Sequence, residues 1–146
     1  LLTKLNSRSC PNVVQAYDVF LFRNHLCISF EILGRDLFEL IQGKHYSRFL
    51  KPFPDSLIKS YALQIFQGLA GIHDAGIVHC DIKPGNFFLR PDLFHFLVLS
   101  DFGLMRRYII KNDKKYSHVT MSSNVGFSGT LVFASPNSMK NTLSRK

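Results

Sequence analysis

Acidic side chains are scarce in this chain: 10 Asp and Glu stand against 18 Lys and Arg, a formal net charge of +8 over 146 residues. An excess of that size first suggests a polyanion partner such as nucleic acid. No cluster of base-stacking aromatics on a basic face accompanies it, so nucleic-acid binding is not expected and the excess reads as a solvated basic surface. Cysteine is scarce too. Cys10, Cys27 and Cys80 are too few and too scattered for a disulfide framework or a zinc site, which fits a reduced, intracellular compartment, cytoplasmic or nuclear. No apolar run approaches the roughly 18 uncharged residues of a membrane span, and the first residues lack the charged-then-apolar pattern of a signal peptide. Internal repeats and low-complexity tracts are absent as well. At 46% hydrophobic residues, the chain has enough apolar side chain to bury a core as one domain.

What is present alternates between strand and helix signals. Pro11 to Arg23 carries Val13, Val14, Tyr17, Val19 and Phe20, and after the turn-like Arg23-Asn24-His25 comes a second apolar run, Leu26 to Phe30; together they predict an antiparallel strand pair. Asp36 to Gln42 has the pattern of a short helix ended by Gly43. Leu57, Ile58, Tyr61, Ala62, Ile65, Phe66, Leu69 and Ile72 recur at spacings of one, three and four, predicting an amphipathic helix that Asp55 caps and Gly76 closes. Ile77-Val78 reads as a very short strand, and Phe87 to Leu89 with Phe96 to Leu99 as a hairpin.

Two motifs sit among these elements: His79-Cys80-Asp81-Ile82-Lys83-Pro84-Gly85-Asn86 and, fifteen residues after the Asn, Asp101-Phe102-Gly103. A lone Asp-Phe-Gly is a weak signal, whereas two motifs in this order and separation are a strong one. They resemble the catalytic loop and metal-binding turn of a protein kinase. The resemblance implies an α+β, two-lobed fold present here in part, as one incomplete domain over 1–146. Strands of the smaller lobe would occupy 1–30, a hinge 31–35, and the mainly helical lobe 36–146 through the activation segment. The chain opens on Leu1 in mid-pattern and ends on Ser144-Arg145-Lys146 without a closing element, and a Gly-rich loop, a strand Lys and its Glu partner are expected upstream.

The resemblance also assigns roles. Asp81 would orient the substrate hydroxyl, Lys83 would offset charge on the transferring phosphate, and Asn86 with Asp101 would hold Mg2+ through oxygen. Phe30 would back the adenine pocket, Glu31 and Leu33 would face the adenine from the hinge, and Phe88 would lie beneath the ring. ATP and protein substrates are the implied partners. A bland reading exists for each: Asp81 as a loop carboxylate, Phe30 as a strand aromatic. His79-Cys80-Asp81 offers three metal-ligand types, but adjacent residues seldom converge on one ion, and His79 is expected to be structural. Cys80 departs from the Arg most kinases carry there, and a thiol cannot grip a phosphate on the activation segment.

Within the kinases the resemblance points two ways. Phe22 to Cys27, Phe30 to Leu33, Leu37 to Ile41 and His79-Cys80-Asp81 resemble the dual-specificity Yak-related (DYRK) kinases. Asp101 to Leu104, Arg106-Arg107-Tyr108 and Gly129 to Asn137 resemble the casein kinase 1 group, and the paired-tyrosine activation motif of the Yak-related kinases is missing. The second half favours a casein kinase 1-like serine/threonine kinase, as does a Lys two residues after Asp81 for Ser/Thr specificity. Arg106, Arg107, Lys111, Lys114 and Lys115 then suggest acidic or phosphorylated substrates; the alternative is a solvated basic loop. The competing function is a pseudokinase that uses the fold as a binding or scaffolding module.

Overall fold

The computed structural model describes residues 10–43, 53–112, 115–118, 127–136 and 138–139. They fall into two compact units, one of Leu1–Ala75 with Pro84–Ser100 and the other of Gly76–Lys83 with Asp101–Lys146.

The first unit opens with the hairpin of β1 (Ala16–Phe22) and β2 (His25–Phe30), paired antiparallel from Ala16↔Phe30 to Phe22↔His25. Its two-residue turn, Arg23 at φ 48 and Asn24 at φ 63, lies in the left-handed region that such tight hairpins require and that Asn tolerates. Helix α1 (Leu37–Gln42) is capped as its sequence predicts: the Asp36 carboxylate accepts from the Glu39 N–H at 2.8 Å, and Gly43 closes it at φ 62. Helix α2 (Asp55–Asp74) differs from expectation at its start. Pro54 occupies the cap position and has no side chain to bond with, while Asp55 already lies inside the first turn, where its charge meets the helix dipole.

The core lies where α2 packs on the hairpin of β4 (Phe87–Arg90) and β5 (Leu93–Leu99). Ile72, Leu97, Val98 and Leu99 are essentially inaccessible. Strand β5 starts earlier than its apolar run suggested, leaving Pro91-Asp92 as the whole turn. Its outer backbone is satisfied by side chains: Gln64 accepts from the Leu97 N–H at 2.7 Å and donates to the His95 carbonyl at 2.8 Å, and Asn12 donates to the Leu97 carbonyl at 2.8 Å. These amides act as a surrogate neighbouring strand, so buried Asn12 and half-buried Gln64 satisfy the strand's backbone groups. Segment 12–14 completes the edge, with Leu99 N–H bonded to the Asn12 carbonyl and Val14 N–H to the Leu99 carbonyl, both at 2.9 Å. The helix reaches this segment through Gly68, where a Cβ would stand 2.8 Å from the Asn12 carbonyl oxygen.

In the second unit, β3 (Ile77–Val78) pairs antiparallel with β6 (Arg106–Arg107), and the Tyr108 N–H extends the pairing to the Gly76 carbonyl at 3.0 Å. The basic segment that could have been an unpaired loop contains a hairpin instead, β7 (Ile109–Asn112) with β8 (Lys115–His118). Lys114 and Asn137 lie outside the described residues. Single 3-10 turns cover Pro84–Asn86 in the first unit, and Phe102–Leu104 and Leu131–Phe133 in the second. Among the described residues no helix is long and apolar enough to cross a membrane.

Candidate functional site

Asp81 and Lys83 are brought together in the second unit. Strand β3 delivers the chain into a loop whose anchor is His79, 1% exposed, its ring 5.0 Å from that of Phe102 and its Nδ1 accepting from the Asp81 N–H at 3.3 Å. The expectation that His79 is structural fits these contacts. Cys80 takes φ 71, a conformation that costs a non-glycine residue energy and that aims the next side chain. Its thiol donates to the Val78 carbonyl at 3.6 Å. Burial pushes that thiol's pKa up, and the Arg106 guanidinium and a backbone hydrogen bond from Arg106 only partly offset it, so Cys80 stays a neutral thiol.

The Asp81 carboxylate is 7% exposed, and both of its oxygens are engaged. Lys83 Nζ stands 2.7 Å from Oδ2, and the Thr130 hydroxyl donates to Oδ1 at 2.7 Å while accepting from Lys83 Nζ at 3.1 Å. The three groups close a ring in which a carboxylate, an ammonium and a hydroxyl fix one another. Such an array holds a carboxylate in one orientation in a partly dry site, where charge-assisted bonds are strong. Thr130 reaches this ring from a distant segment, and no local motif marks it as a site residue.

The two expected metal-binding residues lie in different units. In the first, Asn86 ends the turn Pro84–Asn86, is 3% exposed, and its carbonyl accepts from the Ser100 N–H at 2.9 Å, tying the start of β4 to the end of β5. In the second, Asp101 follows Ser100 in the chain, is exposed, and adopts φ 58, with Oδ1 accepting from the Gly103 N–H at 3.4 Å. An amide oxygen and an exposed carboxylate are the hard donors that Mg2+ takes, so the donor chemistry fits. Among the described residues no group of three or more His, Cys, Asp or Glu is gathered for a metal.

The expected adenine-facing residues all lie in the first unit. Phe30 ends β2 and is 38% exposed, so it is not the buried strand aromatic of the bland reading. Glu31 is held on three sides: its N–H donates to the Gln15 carbonyl, its Oε1 accepts from the Gln15 N–H, and its Oε2 pairs with Arg90 Nε at 3.4 Å. Its side chain is therefore spent on the scaffold. Gly34 N–H bonds to the Leu89 carbonyl at 2.7 Å and Leu89 N–H to the Arg35 carbonyl at 2.9 Å, with Asp36 bridged to Phe88. These bonds tie the segment carrying Leu33 to the strand carrying Phe88.

Comparison with known proteins agrees with this geometry. The family model described as the protein kinase domain matches residues 1–145. A dual specificity protein kinase YAK1 homolog from Arabidopsis thaliana is 42% identical over 93 residues, 61% of this chain and 9% of that protein. The serine/threonine-protein kinase ppk5 of Schizosaccharomyces pombe is 39% identical over 108 residues, 74% of this chain and 12% of its own length. The human dual specificity tyrosine-phosphorylation-regulated kinase 3 is 35% identical over 102 residues, covering 70% of this chain and 17% of the relative. The chain thus spans a small part of each relative. Their names correct the subfamily expectation: the casein kinase 1 likeness is not supported, and the Yak-related likeness read in the first half is. The casein kinase 1 reading rested on short stretches after Asn86, and a few residues around a turn are a weaker signal than identity spread over about a hundred positions. With the kinase-domain model matched over residues 1–145, the chain belongs to the protein kinase domain family.

Proposed function

We propose that the full-length protein is a Yak-related kinase that transfers the γ-phosphate of ATP to Ser or Thr of protein substrates. The observation that carries this is the ring of Asp81, Lys83 and Thr130, in which a buried carboxylate is held beside an ammonium by contacts of 2.7–3.1 Å. Asp81 accepts a hydrogen bond from the attacking hydroxyl, orients its lone pair, and takes its proton late in the transfer. Lys83 offsets the negative charge that accumulates on the phosphate. Thr130 fixes both partners and keeps Asp81 from swinging out of line. Asn86 and Asp101 are the residues that would hold Mg2+, which when bound neutralises phosphate charge.

Phe30, the Glu31 carbonyl, Leu33 and Phe88 line the adenine side, with 1–30 as the end of the small-lobe sheet, 31–35 as the hinge, and 36–146 as the larger lobe through the activation segment. A reduced intracellular setting, cytoplasmic or nuclear, suits three cysteines that are all free thiols. The test is transfer of labelled γ-phosphate by the full-length protein to a peptide library, followed by phosphoamino-acid analysis. Label on Ser or Thr that disappears in Asp81→Asn supports the reading; ATP or peptide binding with no transfer would make the chain part of a binding module instead.

A further inference from the structure

Strand β4 alternates in burial: Phe87 and Leu89 are buried, while Phe88 and Arg90 are half-buried on its other face. One face of the strand therefore carries both the expected adenine contact and a guanidinium. Arg90 lies with its guanidinium carbon 4.9 Å from the centroid of the Phe96 ring and its Nε 3.4 Å from Glu31 Oε2. The Nε is shut off from solvent and makes no hydrogen bond, so its pairing with Glu31 is Coulombic and rests on proximity alone. Removing either member leaves the other charge poorly answered.

Glu31 is held from two directions. Its backbone N–H and its Oε1 are both bonded to Gln15, which ties it to the chain entering β1. Arg90 supplies the tie the other way, to β4. Further along, Gly34 and Arg35 clasp Leu89 through backbone bonds of 2.7 and 2.9 Å, which a change of side chain at position 90 leaves in place. The far end of the 31–35 segment is thus fixed to β4 by backbone, and the near end by a side chain.

We infer, on the kinase reading proposed above, that Arg90 is a positioning residue for the nucleotide: held over Phe96, it pins Glu31 to the strand face that carries Phe88 and so sets the gap into which an adenine ring fits. The face of the Phe96 ring attracts the cation and keeps it from swinging into solvent. The ring of Asp81, Lys83 and Thr130 uses none of these groups, so losing Arg90 falls on binding and not on transfer.

The experiment uses the full-length protein with Arg90→Met, Arg90→Lys, Glu31→Gln and the double variant Glu31→Gln/Arg90→Met. They are read by calorimetric titration with ATP and Mg2+, by steady-state kinetics, and by the thermal midpoint without nucleotide. Arg90→Met keeps the length of the stem and removes the charge. It should weaken ATP, as Kd and as KM, by about three- to tenfold, the scale of one charge-assisted contact, with kcat at saturating ATP within about twofold. Arg90→Lys, which keeps a cation over the ring, should recover most of that loss. The double variant should bind ATP no more weakly than the weaker single variant, since both substitutions break one contact. Should Arg90→Met fail to fold, Glu31→Gln decides, because it removes the carboxylate charge while an amide oxygen can still accept from Gln15: weakened ATP with kcat kept supports the inference. Wild-type ATP affinity in either single variant, additive losses in the double variant, or a fall in thermal midpoint and kcat with ATP affinity unchanged would overturn it. A wild type that binds ATP but transfers nothing defeats the transfer reading, and the titrations still decide the role of Arg90; a wild type blind to ATP defeats both.

Discussion

The two units of the chain are held by different kinds of contact. The unit of Leu1–Ala75 and Pro84–Ser100 rests on apolar packing of α2 against β5, with Asn12 and Gln64 completing the strand's backbone bonds. Among the described residues of the unit of Gly76–Lys83 and Asp101–Lys146, buried Ile77 and Phe102 accompany buried His79 and Asp81, and a short strand pair and the polar ring through Thr130 add order near the site. Hydrophobic burial is tolerant of exact geometry, whereas a hydrogen-bonded carboxylate is not.

Substitutions that strike one kind of contact should sharpen this difference. The largest effect is expected from Asp101→Asn in the full-length protein, which should cut turnover by about 10²–10⁴-fold, the range for removing one charged participant, while leaving the thermal midpoint near wild type because Asp101 is exposed. A matching loss of thermal stability would show a structural role. In the first unit the expected damage is thermodynamic. Ile72 is wholly buried, and Ile72→Ala should cost about 2–5 kcal/mol in denaturant unfolding through lost transfer energy and the cavity left behind. A cost below 1 kcal/mol would mean that the α2–β5 packing is looser than described.

Smaller effects concern the basic hairpin and the buried tyrosine. Replacing Lys114 and Lys115 by Glu should lower rates on acidic relative to basic peptides by at most about tenfold at physiological salt, where ions screen such charges; equal rates on acidic and basic peptides in the wild type would leave these residues no role in selection. Tyr61 is 6% exposed and donates to the Phe94 carbonyl at 3.2 Å. Burial raises its pKa, so the folded protein holds that proton more tightly than the unfolded chain does. Its contribution is complete below the unfolded tyrosine value and is lost as pH climbs above it. Tyr61→Phe should therefore cost about 1 kcal/mol at neutral pH and flatten the alkaline fall in stability; an unchanged alkaline limb would assign that fall elsewhere.

The same contrast decided what could be read from the sequence. Periodicity located α2 and the β4–β5 hairpin because a buried face leaves a regular imprint on the residues that form it, while β1 and β2, largely exposed, were marked by apolar runs around a turn. It missed the β3–β6 pairing, since two-residue strands carry no period, and the β7–β8 hairpin, whose residues are mostly polar. The placement of Asp81 beside Lys83 was legible in a motif with fixed spacing. Thr130 and Arg106 were not legible as site residues, because they reach the loop across the chain and nothing local marks the distance they close. The subfamily went astray for a related reason: the residues around Gly129-Thr130 were weighed as a family signature rather than for what they touch.

We propose that Asp81 serves the transfer step and Phe88 the adenine. Single-turnover transfer and ATP titration on the full-length protein, comparing Asp81→Asn with Phe88→Ala, test it most directly. The account predicts that Asp81→Asn abolishes the chemical step with ATP affinity kept within about threefold, and that Phe88→Ala weakens ATP by about tenfold, the scale of one lost aromatic contact, with the rate of the bound complex preserved. Chemistry retained in Asp81→Asn, or a chemical rate lost with unchanged ATP affinity in Phe88→Ala, would contradict it.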